Sequence, residues 1–158
     1  MDTDLKLVRL TDYVAAYALV HEPSIWPHVH EDGIIDYVPD VLNEVWVAVV
    51  LENVGIIGAY RLHRTSSVTY MIHALLIKEY RQQYSLEAAK AVISWVRVHL
   101  PMCAKLECTI PSKYVNVINH VLKVGFYHEG TRRSSYTKSG RVWDIELFGM
   151  TAKEMEEV

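Results

Sequence analysis

The chain has 158 residues, 51% of them apolar, which is the size of one domain and enough to bury one substantial core. Sixteen Lys and Arg against nineteen Asp and Glu leave a formal net charge of -3, so the chain has no global footprint for a polyanion and nucleic acid is not the partner to expect. The start, Met1-Asp2-Thr3-Asp4, is acidic and lacks the basic-then-apolar order of a signal peptide, and no apolar run approaches the ~18 residues of a membrane span; a cytoplasmic protein is expected.

Residues 6–10 read as a first strand, and Thr11 offers an N-cap to an apolar helix over residues 13–20. Pro23, Pro27, Pro39 and Gly33 limit the next stretch to short helical turns joined by bends. Residues 45–51, 56–63 and 68–77 are rich in β-branched and aromatic residues and separated by turn signals, so three antiparallel strands follow in succession. The period then changes. Leu86, Ala89, Ile93, Val96 and Leu100 mark one face of a helix closed by Pro101. Residues 105–110 form a further strand, Pro111-Ser112 opens a second helix to Val124, and Gly125 suits its C-terminal turn. Residues 126–136 and 141–150 make a closing hairpin around Lys138-Ser139-Gly140.

The order β-α-α-β-β-β-α-β-α-β-β describes one α+β domain over residues 1–150, a mixed, mostly antiparallel sheet flanked by helices, followed by a short charged tail that could fray. Cys103 and Cys108, five residues apart near one strand, should point to opposite faces, remain unpaired and act as small buried apolar residues.

Two stretches carry a family resemblance. Ile77-Lys78-Glu79-Tyr80-Arg81-Gln82-Gln83-Tyr84-Ser85-Leu86 aligns with an Arg-x-x-Gly-x-Gly/Ala loop at a helix start, with Tyr84 and Leu86 at the glycine positions. Val124-Gly125-Phe126-Tyr127-His128-Glu129-Gly130-Thr131-Arg132-Arg133, continued by Ser139-Gly140-Arg141 and Asp144, aligns with Leu-Gly-Phe, Glu-Gly and Asp-Gly words. On these the chain resembles the GNAT superfamily of acetyl-CoA-dependent N-acyltransferases, most closely its N-terminal-amine branch. The strand word Ile72-His73-Ala74 is also similar to that of small bacteriophage GNAT-like proteins.

The resemblance implies acetyl-CoA as cosubstrate, a small-molecule or peptide amine as acceptor, and direct attack without a covalent enzyme intermediate. It places the pyrophosphate over the amides of Gln82, Gln83, Tyr84, Ser85 and Leu86 with Arg81 adding charge, since exposed N–H groups and the helix dipole favour an anion. Asn116 is a further cofactor contact. His73 stands on the strand that often holds a general base, and an unperturbed pKa near ~6.5 suits that role; a satisfied, half-buried histidine is the other reading. The family's tyrosine acid is replaced by Val121, leaving Tyr114 or Tyr136 as substitutes, unless both are core or rim residues.

His28-Val29-His30-Glu31-Asp32 matches no metal site by spacing, and none is expected; Glu31 and Asp32 border the acceptor groove and could attract a cationic amine. Arg132, Arg133, Lys138 and Arg141 read as edge-strand protection or an anion-docking surface. The altered loop keeps open an alternative of another class, a degenerate GNAT-fold interaction or structural protein, a bacteriophage virion component with a homo-oligomeric or virion partner.

Overall fold

The computed structural model describes residues 4–158; Met1, Asp2 and Thr3 of the acidic start lie outside the described residues. In chain order the elements are β1 (Leu5–Arg9), α1 (Tyr13–Val20), α2 (Trp26–Val29), β2 (Val45–Leu51), β3 (Gly55–Arg64), β4 (Thr69–Leu76), α3 (Lys78–His99), β5 (Lys105–Pro111), α4 (Val115–Val124), β6 (Tyr127–Lys138), β7 (Arg141–Thr151) and α5 (Ala152–Met155). The strands form one sheet ordered β1-β2-β3-β4-β5-β7-β6, antiparallel everywhere except between β4 and β5. The α+β architecture expected from the sequence is therefore present, with α5 added at its end.

Strand alternation divides the apolar residues between two faces. Val47, Val49, Tyr60, Leu62 and Ile72 meet Ala88, Ala89, Val92, Ile93 and Val96 of α3. On the other face Trp46, Ala48, Ala59 and Leu75 pack with Leu19, Val20 and Ile25 of the α1–α2 segment. The three-and-four spacing on α3 thus reports its buried face correctly.

Four local expectations change. The N-cap of α1 is Asp12, not Thr11: its carboxylate accepts from Val14 N (2.9 Å) and Ala15 N (3.3 Å). Pro111 closes β5 opposite Ile145 instead of opening a helix, so α4 starts only at Val115. The charged tail carries a helical turn, α5, in which Thr151 and Glu154 form a capping box and Met155 is buried in the main core. Cys103 precedes β5, so the period-two argument does not reach it; both cysteines are free and buried in the same core.

Geometry demands glycine at Gly125 and at Gly58. Gly125 ends α4 at φ 122°, a conformation that L side chains rarely adopt. At Gly58, beside the bulge between Val49 and Val50, a Cβ would strike the Leu75 carbonyl and come within 2.9 Å of Leu76 Cα. This close approach sits where β4 ends.

Candidate active site

The one parallel contact of the sheet is short. β4 and β5 pair only at Thr69 with Lys105, Tyr70 with Leu106 and Met71 with Glu107. Each strand is then held by its own antiparallel neighbour, β3 for Ile72 onwards and β7 for Cys108 onwards, so the two halves of the sheet diverge. Between them lies a cavity of about 950 Å³. It crosses the sheet: Leu86, Ala89 and Val92 line it from the α3 face, and Ile25, Val29, Trp46 and Leu75 from the α1–α2 face. The strand edges facing the gap have no strand partner beyond Met71 and Glu107, and so can receive a ligand's amide groups.

On the α1–α2 face, register sets Trp46 opposite Arg61 and Arg61 opposite His73, a cross-strand row pointing one way. That resolves which face carries His73. Its Nε2 lies 3.2 Å from His63 Nε2, and the two rings stack at 9°. Burial, then the Arg61 charge, then His63 push the His73 pKa down to about 3, well below the value that suits a general base. His73 is neutral at ordinary pH. Arg61 is itself paired with Glu44 (Nε to Oε2 2.7 Å) and lies over the Tyr37 ring, whose hydroxyl burial pushes up to about 12.

On the α3 face the backbone donors differ from expectation. Helix α3 starts at Lys78, so Gln82, Gln83, Tyr84, Ser85 and Leu86 lie inside it, where each N–H is directed at the carbonyl four residues back. No exposed amide cradle forms there. The helix start is also occupied: Lys78 N–H donates to Ser24 Oγ (3.0 Å), Ser24 is fixed by the Glu22 carboxylate, and Tyr80 N–H returns to Ile77 O. Arg81 donates to Leu76 O and Ser24 O, both at 2.7 Å, and its pKa is lowered by burial. It ties the end of β4 to the α1–α2 connection. Arg81, Gln82, Ser85, Leu86 and Asn116 do line the cavity; Gln83 does not, and Tyr84 packs against the main core.

Solved structures share this fold over nearly the whole chain. A spermidine N-acetyltransferase from Vibrio cholerae, in complex with CoA and spermine, superposes with a TM-score of 0.81 at 13% identity, covering 97% of this chain and 98% of its own. A candidate acetyltransferase from Acinetobacter baylyi ADP1 superposes at 0.74 with 18% identity, covering 97% and 96%. This is the GNAT fold. No family model and no curated protein matches the sequence.

Of the second word that carried the resemblance, Val124 and Phe126 line the cavity and the residues after them make contacts within the sheet. Phe126 is buried in the main core, Glu129 pairs with Lys105 (2.7 Å), Arg141 lies over Trp143, and the Asp144 carboxylate accepts from Ser134 N (2.8 Å). Tyr136 does not line the cavity: its hydroxyl donates to His30 O (3.2 Å) and is raised in pKa chiefly by burial. Tyr114, the other tyrosine considered, does line it and meets His28 edge-on. Neither Glu31 nor Asp32 lines the cavity; both carboxylates hold the β6–β7 hairpin. Glu31 accepts from Thr137, while Asp32 accepts from Ser139 N and Gly140 N, amide bonds that hold its pKa low. Among the described residues no group of metal-ligating side chains forms, and no helix is long and apolar enough to cross a membrane. Arg132 and Arg133 are exposed on β6, which is an edge strand.

Sequence reasoning missed Arg61, Tyr37, Lys113, His120 and Lys123 on the cavity wall. Only Arg61 carried a signal, because the β3–β4 hairpin register sets it opposite His73. The others depend on helix packing that no local pattern records.

Proposed function

We propose that this chain is an N-acyltransferase that uses a coenzyme A thioester, acetyl-CoA in the simplest case, to acylate a primary amine directly. The observation that carries this is the cavity crossing a GNAT sheet at its split, with strand edges open to a thioester arm on one side and an amine site on the other. The cosubstrate's anionic end fits the wall in charge, since Arg81, Lys113 and Lys123 line it and, among the described residues, no Asp or Glu does. It does not fit a glycine cradle, for Ser24 and the helical turn replace one.

When bound, the thioester supplies an electrophilic carbonyl carbon and a thiolate leaving group. The ammonium would first lose one proton to solvent; attack by the neutral amine would form the C–N bond and break the C–S bond, and the second proton lost by the nitrogen would end on the thiolate. With its pKa near 3, His73 cannot store that proton at neutral pH; as a neutral hydrogen-bond partner it orients the amine. Of the two tyrosines, Tyr114 lines the cavity and Tyr136 does not, which supports Tyr114 as the group that protonates the thiolate.

The test is thermal denaturation with acetyl-CoA at about 1 mM, paired with thiol release in the presence of amines. A raised melting temperature that weakens in Lys113→Ala or Lys123→Ala is expected. No rise and no thiol release would sink the enzyme reading. The occupied start of α3 favours a second reading, a GNAT-fold binding or structural protein without transfer, of which the bacteriophage virion component is the form considered from sequence; acetyl-CoA-dependent thiol release would exclude it.

A further inference from the structure

The start of α3 is closed to the pyrophosphate that the sequence resemblance sets there. A helix leaves its first four N–H groups without intrahelical partners, and an anion binds them only where they are free. At α3 they are spent within the chain. Ile77 N–H donates to Ile57 O (2.9 Å), Lys78 N–H to Ser24 Oγ (3.0 Å) and Tyr80 N–H back to Ile77 O (3.0 Å). The fourth belongs to Glu79, whose own acidic side chain repels an anion. Ser24 is held from several sides: its N–H and hydroxyl donate to the Glu22 carboxylate, and its carbonyl accepts from Arg81 (2.7 Å). Arg81 spends its Nε on Leu76 O (2.7 Å), so that guanidinium is turned to backbone carbonyls. A pyrophosphate would have to break the Ser24 bond and approach two carboxylates.

The rest of the cavity suits the arm that carries a thioester. Beyond Met71 and Glu107 the β4 and β5 edges have no strand partner, and a pantetheine chain brings amide groups that can pair with them. Leu86, Ala89 and Val121 give the cavity apolar surface for its methylene groups. Lys113 and Lys123 line the wall as point charges, which suffices for the single phosphate joined to that arm. Both reach solvent, so their hold on any further anionic group is screened by salt.

Resting on the acyltransfer reading above, we propose that the acyl donor is recognised through its phosphopantetheine arm and not through the nucleotide of CoA, so that the donor class is any acyl phosphopantetheine thioester. Two sources carry this chemistry, CoA itself and a carrier protein that bears the arm on a serine. With Ser24 in place the nucleotide end gains no directed hydrogen bond at the start of α3, whereas each charge-assisted bond of a pyrophosphate cradle is worth about tenfold or more in affinity. Full-length protein is titrated calorimetrically with CoA and with phosphopantetheine at about 0.15 M salt. The two dissociation constants should agree within about tenfold. CoA binding tighter by more than that, or phosphopantetheine failing to bind, overturns the proposal.

In the isotope-labelled chain the Lys78, Glu79 and Tyr80 amide protons should respond alike to both ligands; a shift of these protons with CoA alone overturns the proposal as well. Thiol release is then followed with spermidine or a tripeptide as the amine. Acetyl-CoA, acetyl-phosphopantetheine and an acetylated carrier protein form separate arms, and the higher kcat/KM of the first and the third identifies the source. Acetyl-CoA exceeding acetyl-phosphopantetheine by more than about tenfold in kcat/KM overturns the proposal and leaves acyltransfer intact. Matched binding without thiol release from any donor supports recognition of the arm and refutes the acyltransfer reading alone.

Discussion

Replacing His73 by Gln keeps a neutral hydrogen-bonding side chain beside His63 and removes one titration. The folded pKa near 3 lies below the unfolded value of 6.5, so the unfolded chain binds the proton more tightly. His73 therefore contributes stability that is present above pH 6.5 and is lost as pH falls toward 3. For one such site the loss between about pH 7.5 and about pH 5.5 is about 1.4 kcal/mol, with a limiting slope of about 1.4 kcal/mol per pH unit further down. For a domain of this size that corresponds to roughly 3–5 °C in melting temperature. Urea melts of wild type and His73→Gln at both pH values measure it as a double difference, in which contributions from the histidines other than His63, its direct neighbour, largely cancel. Equal pH dependence of the two proteins, or a His73 titration near pH 6 by NMR, would show that His73 is solvated and restore it as a candidate base.

Gly58→Ala forces a Cβ onto the Leu75 carbonyl and Leu76, and should destabilise by about 1–3 kcal/mol in urea melts; an unchanged midpoint would mean that β3 and β4 are not so close. Thr151→Ala removes the capping box of α5 and should cost about 1 kcal/mol, with faster cleavage at the C-terminus under limited proteolysis. Burial pushes the Cys108 thiol up to about 12, so an aromatic disulfide reagent at neutral pH should leave it unmodified in the folded protein and modify it after denaturation; rapid labelling of folded Cys108 contradicts its place in the core.

The occupied start of α3 bears on how the fold could be used. An anion reaching that helix would displace Ser24 from the Lys78 N–H and compete with Glu22, which already sets negative charge near Arg81. Two other cations of the wall, Lys113 over the Tyr114 and Trp143 rings and Lys123, come instead from α4 and the turn before it. A cosubstrate held mainly by those lysines would bind with a steep salt dependence, as exposed charge pairs are screened by added ions.

Local chemistry in the sequence determined the elements. β-branched runs made β2, β3 and β4, three-and-four spacing made α3, and glycine after Val124 ended α4, because each depends on residues adjacent in the chain. It also marked His73, Arg81 and Asn116, all of which reach the cavity wall. Tertiary structure decided what those residues do. Whether His73 titrates near 6.5 or near 3 depends on Arg61 and His63 from the neighbouring strand and on burial under the α1–α2 segment. Whether Arg81 faces a ligand or the Leu76 and Ser24 carbonyls depends on a chain segment 57 residues away. Such long-range partners leave no periodic trace, so the split of β4 from β5, and the charge of the cavity it opens, emerge only when the sheet is assembled.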